Sequence, residues 1–284
     1  MKLGRFEIVP VEFGRFMLDG GAMFGVVPKP LWNRTNPADE ENRIQMTTRG
    51  MLIGMDQKNI LVDTGIGHKM SEKLNQIYAV DFSRYTLKDS LNQLGFEYSD
   101  ITDVILTHLH FDHTGGSTIF DEKNNPAPTF PNATYWIQES QYQWALKPSD
   151  RDKASFMPEN FVPLNDSGQL EKVNGDTEIY PGISLLKIDG HTFGQQMIKV
   201  QDGSDTILYC ADLFPTSAHI PLPYIMSYDL QPLSTLEEKK KYLAQICDEN
   251  WMLFFEHDPN TILANVEKTE KGYALGERLM VTDV

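Results

Sequence analysis

The stretch that most constrains this chain is Thr107-His108-Leu109-His110-Phe111-Asp112-His113-Thr114-Gly115-Gly116. It continues a short apolar run, Asp103–Leu106, that reads as a β-strand. Three of the chain's seven histidines and an aspartate thus stand within six positions, where a buried strand gives way to a loop. His108 and His110 are two apart, and strand side chains at that spacing point the same way. Asp112 and His113 follow as the chain leaves the strand, and Gly115-Gly116 permits a tight turn into a helix. Imidazole nitrogen and carboxylate oxygen are the ligands that zinc and similar divalent ions take. A polar loop that satisfies its own hydrogen bonds accounts for one such histidine. It does not account for four ligands this close together, which are enough for more than one ion.

The other polar residues at strand ends extend the pattern. His191 stands in Ile188-Asp189-Gly190-His191-Thr192, after an apolar strand expected over Ile179–Ile188. Asp212 follows the strand Thr206–Cys210, and His257 follows the strand Trp251–Phe255. Ligands in α/β sheets bind at such an edge. Elsewhere Arg43–Met55 and Asn59–Asp63 read as a hairpin about Asp56-Gln57-Lys58. Thr86 to Asp89 reads as a helix N-cap with Gly95 as its stop. Ala133–Ile137 reads as a strand and Gln138–Leu146 as a helix ended by Pro148, with Gln196–Gln201 a further strand. Ser234-Thr235-Leu236-Glu237 reads as a capping box for a long helix to about Asn250, with Glu237 to Lys241 as its solvated face. Strands and helices alternate, so the expected class is α/β. No linker divides the chain, which is read as a single domain over 1–284, with residues 1–40 as an N-terminal lid or arm.

Composition removes several function classes. Lys and Arg number 25 against 40 Asp and Glu, a formal charge of −15, and such a surface repels phosphate backbones. Nucleic acid is therefore not an expected partner. No run of about 18 apolar residues exists, so no membrane span is expected. Glu7 and Glu12 fall where a signal peptide needs an apolar core, which favours the cytoplasm; a secreted form with its signal removed is the other expectation. Cys210 and Cys247 give no disulfide framework and read as free thiols. The expected partner is a small-molecule substrate, and a homodimer is compatible with the sequence.

The His-x-His-x-Asp-His run, the later His191, Asp212 and His257, and the upstream Asp63-Thr64-Gly65 resemble the metallo-β-lactamase-fold hydrolase superfamily. The spacings of 78, 21 and 45 residues between His113, His191, Asp212 and His257 fit it. The resemblance implies a four-layer αββα sandwich with a dinuclear metal site along one edge. It implies that His108, His110 and His191 bind the first ion, that Asp112, His113 and His257 bind the second, and that Asp212 bridges them. Asp63 resembles the aspartate that orients a ligand in this family, as metal-bound histidines commonly require. Two such ions hold a hydroxide at neutral pH that attacks an electrophilic carbonyl or phosphorus centre. Asp112 and Asp212 are the expected catalytic carboxylates, Asp112 passing a proton to the leaving group. Zinc is the expected metal, with iron, manganese and cobalt also compatible with the ligands.

Residues 19–32 resemble the N-terminal segment of the lactonase and methyl-parathion-hydrolase-like branch. The expected reaction is cleavage of an ester, lactone or phosphoester-type bond in a small apolar molecule. One departure stands out: homoserine lactonases carry a tyrosine three positions after the bridging Asp, and here that position is Pro215. The segment 19–37 is rich in glycine and proline, and is read as a lid or a core-packing arm. Met23, Phe24, Trp32 and His219 are the expected substrate-pocket residues. Asp229 is read as a structural hydrogen-bond acceptor. Three alternatives remain: a mononuclear iron enzyme oxidising a thiol or persulfide, a glyoxalase II-like thioesterase, and a non-catalytic binding protein on the same scaffold.

Overall fold

A computed structural model of the chain describes residues 1–280. By their contacts these residues divide into two compact units, 1–15 with 48–177, and 16–47 with 178 onward. The helices, in chain order, are α1 (Gly20–Phe24), α2 (Lys29–Trp32), α3 (Glu72–Ile77), α4 (Leu87–Gln93), α5 (Phe111–Thr114), α6 (Glu139–Leu146), α7 (Val162–Asp166) and α8 (Pro232–Asp248).

The first seven-stranded sheet keeps chain order: β1 (Lys2–Leu3), β2 (Phe6–Asp19), β3 (Arg43–Met55), β4 (Lys58–Val62), β5 (Asp103–Ile105), β6 (Thr134–Gln138) and β7 (Leu170–Val173). β3 and β4 form the expected hairpin, antiparallel from Met51 opposite Val62 to Met55 opposite Lys58. From β4 onward the pairing is parallel, with Val62 beside Ile105 and Ile105 beside Trp136. Parallel neighbours in register end together, so the residues after β4 and β5 leave the sheet side by side. Thr86 caps α4 as expected, its hydroxyl accepting the Asp89 N–H at 3.0 Å. Leu87 and Leu91 of α4 pack with Val104, Leu106, Tyr135 and Ile137 in the core of this unit. Each such burial stabilises by roughly 1.5–3 kcal/mol, which fixes the strand ends that carry the polar residues.

The second sheet also keeps chain order: β8 (Thr177–Tyr180), β9 (Ile183–Ile188), β10 (Gln195–Asp202), β11 (Asp205–Tyr209), β12 (Met252–Phe254), β13 (Thr261–Thr269) and β14 (Gly272–Met280). The single strand expected over Ile179–Ile188 is two, because Pro181 and Gly182 turn the chain. Gly182 takes φ 83°, and its N–H is accepted by Glu178 Oε1 at 2.7 Å. β10 is antiparallel to both β9 and β11, and β12 is parallel to β11 with Tyr209 beside Phe254. β9, β11 and β12 therefore point the same way.

Helix α8 begins two residues before the expected capping box. Pro232 occupies its first turn, where a missing N–H costs nothing. Its buried stripe is Thr235, Lys239, Tyr242, Leu243 and Ile246. The charged run is thus not wholly a solvated face. Glu237 and Lys240 pair outside at 2.7 Å, while Lys239 is 0% exposed, because helical periodicity carries position 239 inward. Cys210 and Cys247 are free thiols. Among the described residues no helix is long and apolar enough to cross a membrane.

Candidate functional site

In the first unit Asp63 follows β4 directly and takes φ 56°, a left-handed conformation that costs a non-glycine residue about 1–2 kcal/mol. Its carboxylate offsets that cost. Oδ1 accepts the Thr107 N–H at 2.8 Å; Oδ2 accepts the Thr107 hydroxyl at 2.7 Å and the His113 Nδ1–H at 3.1 Å. The Thr107 hydroxyl, having donated its proton, accepts from His108 Nδ1 at 3.0 Å. This network assigns the proton to Nδ1 in both rings and leaves the Nε2 lone pairs of His108 and His113 as donors to a metal. His108 Nε2 lies 3.1 Å from His110 Nδ1, and His113 Nε2 lies 3.9 Å from Asp112 Oδ2. All four residues are buried.

The two glycines of the motif act by close approach. Thr64 N–H donates to His113 O at 2.8 Å, and Gly116 N–H to Gly65 O at 3.1 Å. A Cβ on Gly115 would overlap the Ile66 carbonyl, and one on Gly116 the Thr64 carbonyl. Gly115 itself is helical at φ −57°, so what it supplies is room and not the tight turn expected of it. Asp63-Thr64-Gly65 and the histidine motif are thus two halves of one packed loop pair.

In the second unit His191, Asp212 and His257 each stand three residues beyond the last residue of their strands, β9, β11 and β12. Those strands run the same way, so the three side chains emerge from one edge. His191 Nδ1 donates to Asp229 Oδ1 at 2.8 Å, and His257 Nδ1 to the Thr47 carbonyl at 2.8 Å. A carbonyl only accepts, so the His257 proton sits on Nδ1 and its lone pair on Nε2; the Asp229 carboxylate favours the same tautomer of His191. These Nε2 atoms then face one carboxylate: His191 lies 3.1 Å from Asp212 Oδ2, and His257 lies 3.3 Å from Asp212 Oδ1. With neutral rings each approach sets lone pair against lone pair, and a cation between them, a proton or a metal ion, relieves it. Ala211, just before, takes φ 46°, so backbone strain is again stored beside a donor.

This chemistry fits divalent metal. His108, His110, Asp112 and His113 of the first unit, and His191, Asp212 and His257 of the second, all belong to buried His/carboxylate groups able to hold an ion. No thiolate joins them; Cys210 is buried with its Sγ toward the Leu208 carbonyl, and burial pushes its pKa up.

Met23, Phe24, Trp32 and His219, expected as pocket residues, lie together within the second unit, all buried. Phe24 stacks between Trp32 and His219, with ring centroids 5.4 and 4.6 Å away. His219 Nε2 donates to the Met23 carbonyl at 2.9 Å, and Nδ1 accepts from the Thr216 hydroxyl at 2.8 Å. Both ring nitrogens are thereby used inside the protein, and burial pulls the pKa of His219 down to about 4. From the same segment Val26, 91% exposed, and Leu31, 46% exposed, face solvent.

Sequence reasoning missed several contributors. Asp229 is the acceptor it was read to be, and its partner is His191. Thr47 acts through its carbonyl, for which residue type gives no signal. Tyr78 stacks on Phe111 at 4.9 Å, and burial, reinforced by the Asp112 charge, raises its pKa so that the phenol stays a hydrogen-bond donor.

The model of the metallo-β-lactamase superfamily matches residues 50–257. The chain is 26% identical over 219 residues to the N-acyl homoserine lactonase AiiA of Bacillus thuringiensis subsp. kurstaki, covering 73% of this chain and 79% of that one. A crystal structure of a probable metal-dependent hydrolase from Staphylococcus aureus superposes with a TM-score of 0.89 at 31% identity, over 99% of this chain and 98% of that one. AidC, a dizinc quorum-quenching lactonase in complex with a product, shares the fold at a TM-score of 0.80 and 23% identity, over 97% of this chain and 95% of its own. The chain belongs to the metallo-β-lactamase superfamily, as one of its metal-dependent hydrolases.

Proposed function

We propose that the protein cleaves an ester or lactone bond in a small, largely apolar molecule, using two divalent ions. His108, His110 and His191 hold one ion, Asp112, His113 and His257 hold the other, and Asp212 serves both. The observation that carries this reading is the Asp212 carboxylate, which turns a different oxygen toward the Nε2 atom of His191 and that of His257, at 3.1 and 3.3 Å. A single ion at His108, His110 and His191 would leave Asp112, His113 and His257 without a task, which argues against the mononuclear iron reading. The dizinc lactonase of the same fold supports zinc as the metal and a lactone as the substrate.

When bound, such a pair of ions acidifies water and polarises the substrate oxygen. The chain's own residues do the rest. Asp63, Asp229 and the Thr47 carbonyl hold three imidazoles in the ligating tautomer. Asp112, 7% exposed, is the carboxylate that passes a proton to the leaving group. The position three beyond Asp212 contributes no phenol; Pro215 instead accepts the His257 N–H at 3.1 Å. Tyr78 is the phenol beside Asp112, and it donates to the substrate oxygen in this reading. A charge of −15 favours uncharged substrates over polyanions.

The test is metal content of protein purified without added metal, together with a screen of lactones, aryl esters, thioesters and phosphotriesters. Two equivalents of metal with lactone or aryl-ester turnover is expected. One equivalent of iron with thiol oxidation, or two equivalents of metal with no hydrolysis, would overturn it.

A further inference from the structure

We propose that Glu238 and Lys239, neighbours on helix α8, are positioning residues that set the metal ligand His191 from both sides. The inference rests on the metal-centre reading above and names what holds one of its ligands still.

Glu238 works on the approach to His191. Its Oε1 accepts the Asp189 N–H at 2.8 Å and its Oε2 the Gly190 N–H at 3.1 Å. The opening of the helix takes the other side of the same turn: Gln231 N–H donates to the Gly190 carbonyl at 2.9 Å, and Gln231 Nε2 to the Asp189 carbonyl at 3.1 Å. A Cβ on Gly190 would overlap Thr235 and Glu238, so the turn lies directly on the helix. Both N–H groups and both carbonyls of the two residues before His191 are therefore held by α8.

Lys239 works on the strap that holds the ring. Its ammonium, wholly buried, donates to the carbonyls of His219, Pro221 and Tyr224 at 2.6, 2.9 and 2.8 Å. From there the chain runs to Asp229, which accepts the His191 Nδ1–H hydrogen bond, and to Leu230, whose N–H donates to the His191 carbonyl at 3.0 Å. It then enters α8. The strap is thus tied to the helix at both ends, with the two groups that fix His191 between the ties.

A packing role does not explain these residue types. Tyr242, Leu243 and Ile246 pack the same helix against the unit's core without charge. A buried ammonium is costly to desolvate, and no hydrocarbon would satisfy three carbonyls at once. The carboxylate of Glu238 likewise suits two N–H groups, where an amide could accept from one.

The experiment uses the full chain carrying Glu238→Gln, Lys239→Met or Lys239→Arg. Zinc affinity is measured by competition with a chromophoric chelator, visible spectra of the cobalt(II)-loaded proteins are recorded, and the urea midpoint of the metal-free forms is determined. Loss of such supporting contacts to a ligand lowers metal affinity by roughly 10–100-fold. Glu238→Gln is expected to show that loss with an altered cobalt spectrum, and Lys239→Arg to retain more affinity than Lys239→Met. Should Lys239→Met fail to fold, Glu238→Gln and Lys239→Arg carry the test. Folded variants with wild-type zinc affinity and cobalt spectra would overturn the inference and leave the metal centre standing, even with a lowered urea midpoint. Wild-type protein that binds no metal would overturn both.

Discussion

Replacing Asp63 by asparagine perturbs the site without touching a proposed ligand. The carboxylate accepts three hydrogen bonds, from Thr107 N, Thr107 Oγ1 and His113 Nδ1. Asparagine keeps one oxygen and turns the other into a donor. If the amide NH2 takes the Oδ1 place, it meets the Thr107 N–H, donor against donor. If it takes the Oδ2 place, it meets the Nδ1 proton of His113. The second arrangement is relieved only by moving that proton to Nε2, which removes the lone pair a metal needs. Losing one charge-assisted buried bond and stranding one donor costs about 2–4 kcal/mol. For a chain of 284 residues that is a fall of about 3–7 °C in the melting temperature of metal-free protein. Metal affinity should fall a further 10–100-fold, read by chelator competition. Scanning calorimetry and metal titration of Asp63→Asn against wild type measure both quantities. A variant that melts within about 2 °C of wild type and binds metal equally well would refute the tautomer argument on which the site rests.

Other substitutions test neighbouring parts of the account. His219 is held neutral by burial with its pKa near 4, whereas an unfolded histidine titrates near 6.5. Its contribution is complete above about pH 6.5 and is lost as the pH falls toward 4, because the unfolded chain takes up the proton first; the loss is about 3 kcal/mol. Urea unfolding at pH 7 and pH 4.5 should show that decline in wild type and a shallower one in His219→Asn. Gly116→Ala forces a Cβ onto the Thr64 carbonyl, so little soluble protein is expected, as read by expression and circular dichroism. Tyr78→Phe keeps the ring stack on Phe111 and loses the hydroxyl; kcat should drop about tenfold with stability unchanged within about 0.5 kcal/mol. Equal kcat in the two proteins would remove the phenol from the reaction.

The parts of the fold legible in the sequence were those where one residue type could do only one thing. Short apolar runs closed by His or Asp marked β5, β9, β11 and β12, since a polar group that leaves a buried strand has a purpose. Asp56-Gln57-Lys58 marked its hairpin, and Thr86 its helix. β2 gave no such signal: Pro10 and Gly14 interrupt Phe6–Asp19, and both residues are poor strand formers. β13 and β14 were hidden because their tips carry Glu267, Lys268, Glu270 and Lys271, which read as loop. Pro181 was visible but was overridden by the apolar residues on either side. In the site, the side chains whose type can hold a metal were legible, and their supports were not. Thr47 contributes only a carbonyl. Lys239 looked like one of three solvated lysines, and only the three carbonyls around it reveal its part.

The common offset of His191, Asp212 and His257 from their strand ends has an evolutionary corollary. Donors anchored this close to the sheet take their positions from its ladder, and the excursion 214–231, which carries Asp229 and Leu230, is held to the same frame by α8. A lineage that rewrites this excursion for a new molecule must therefore keep Asp229, or replace its hold on His191.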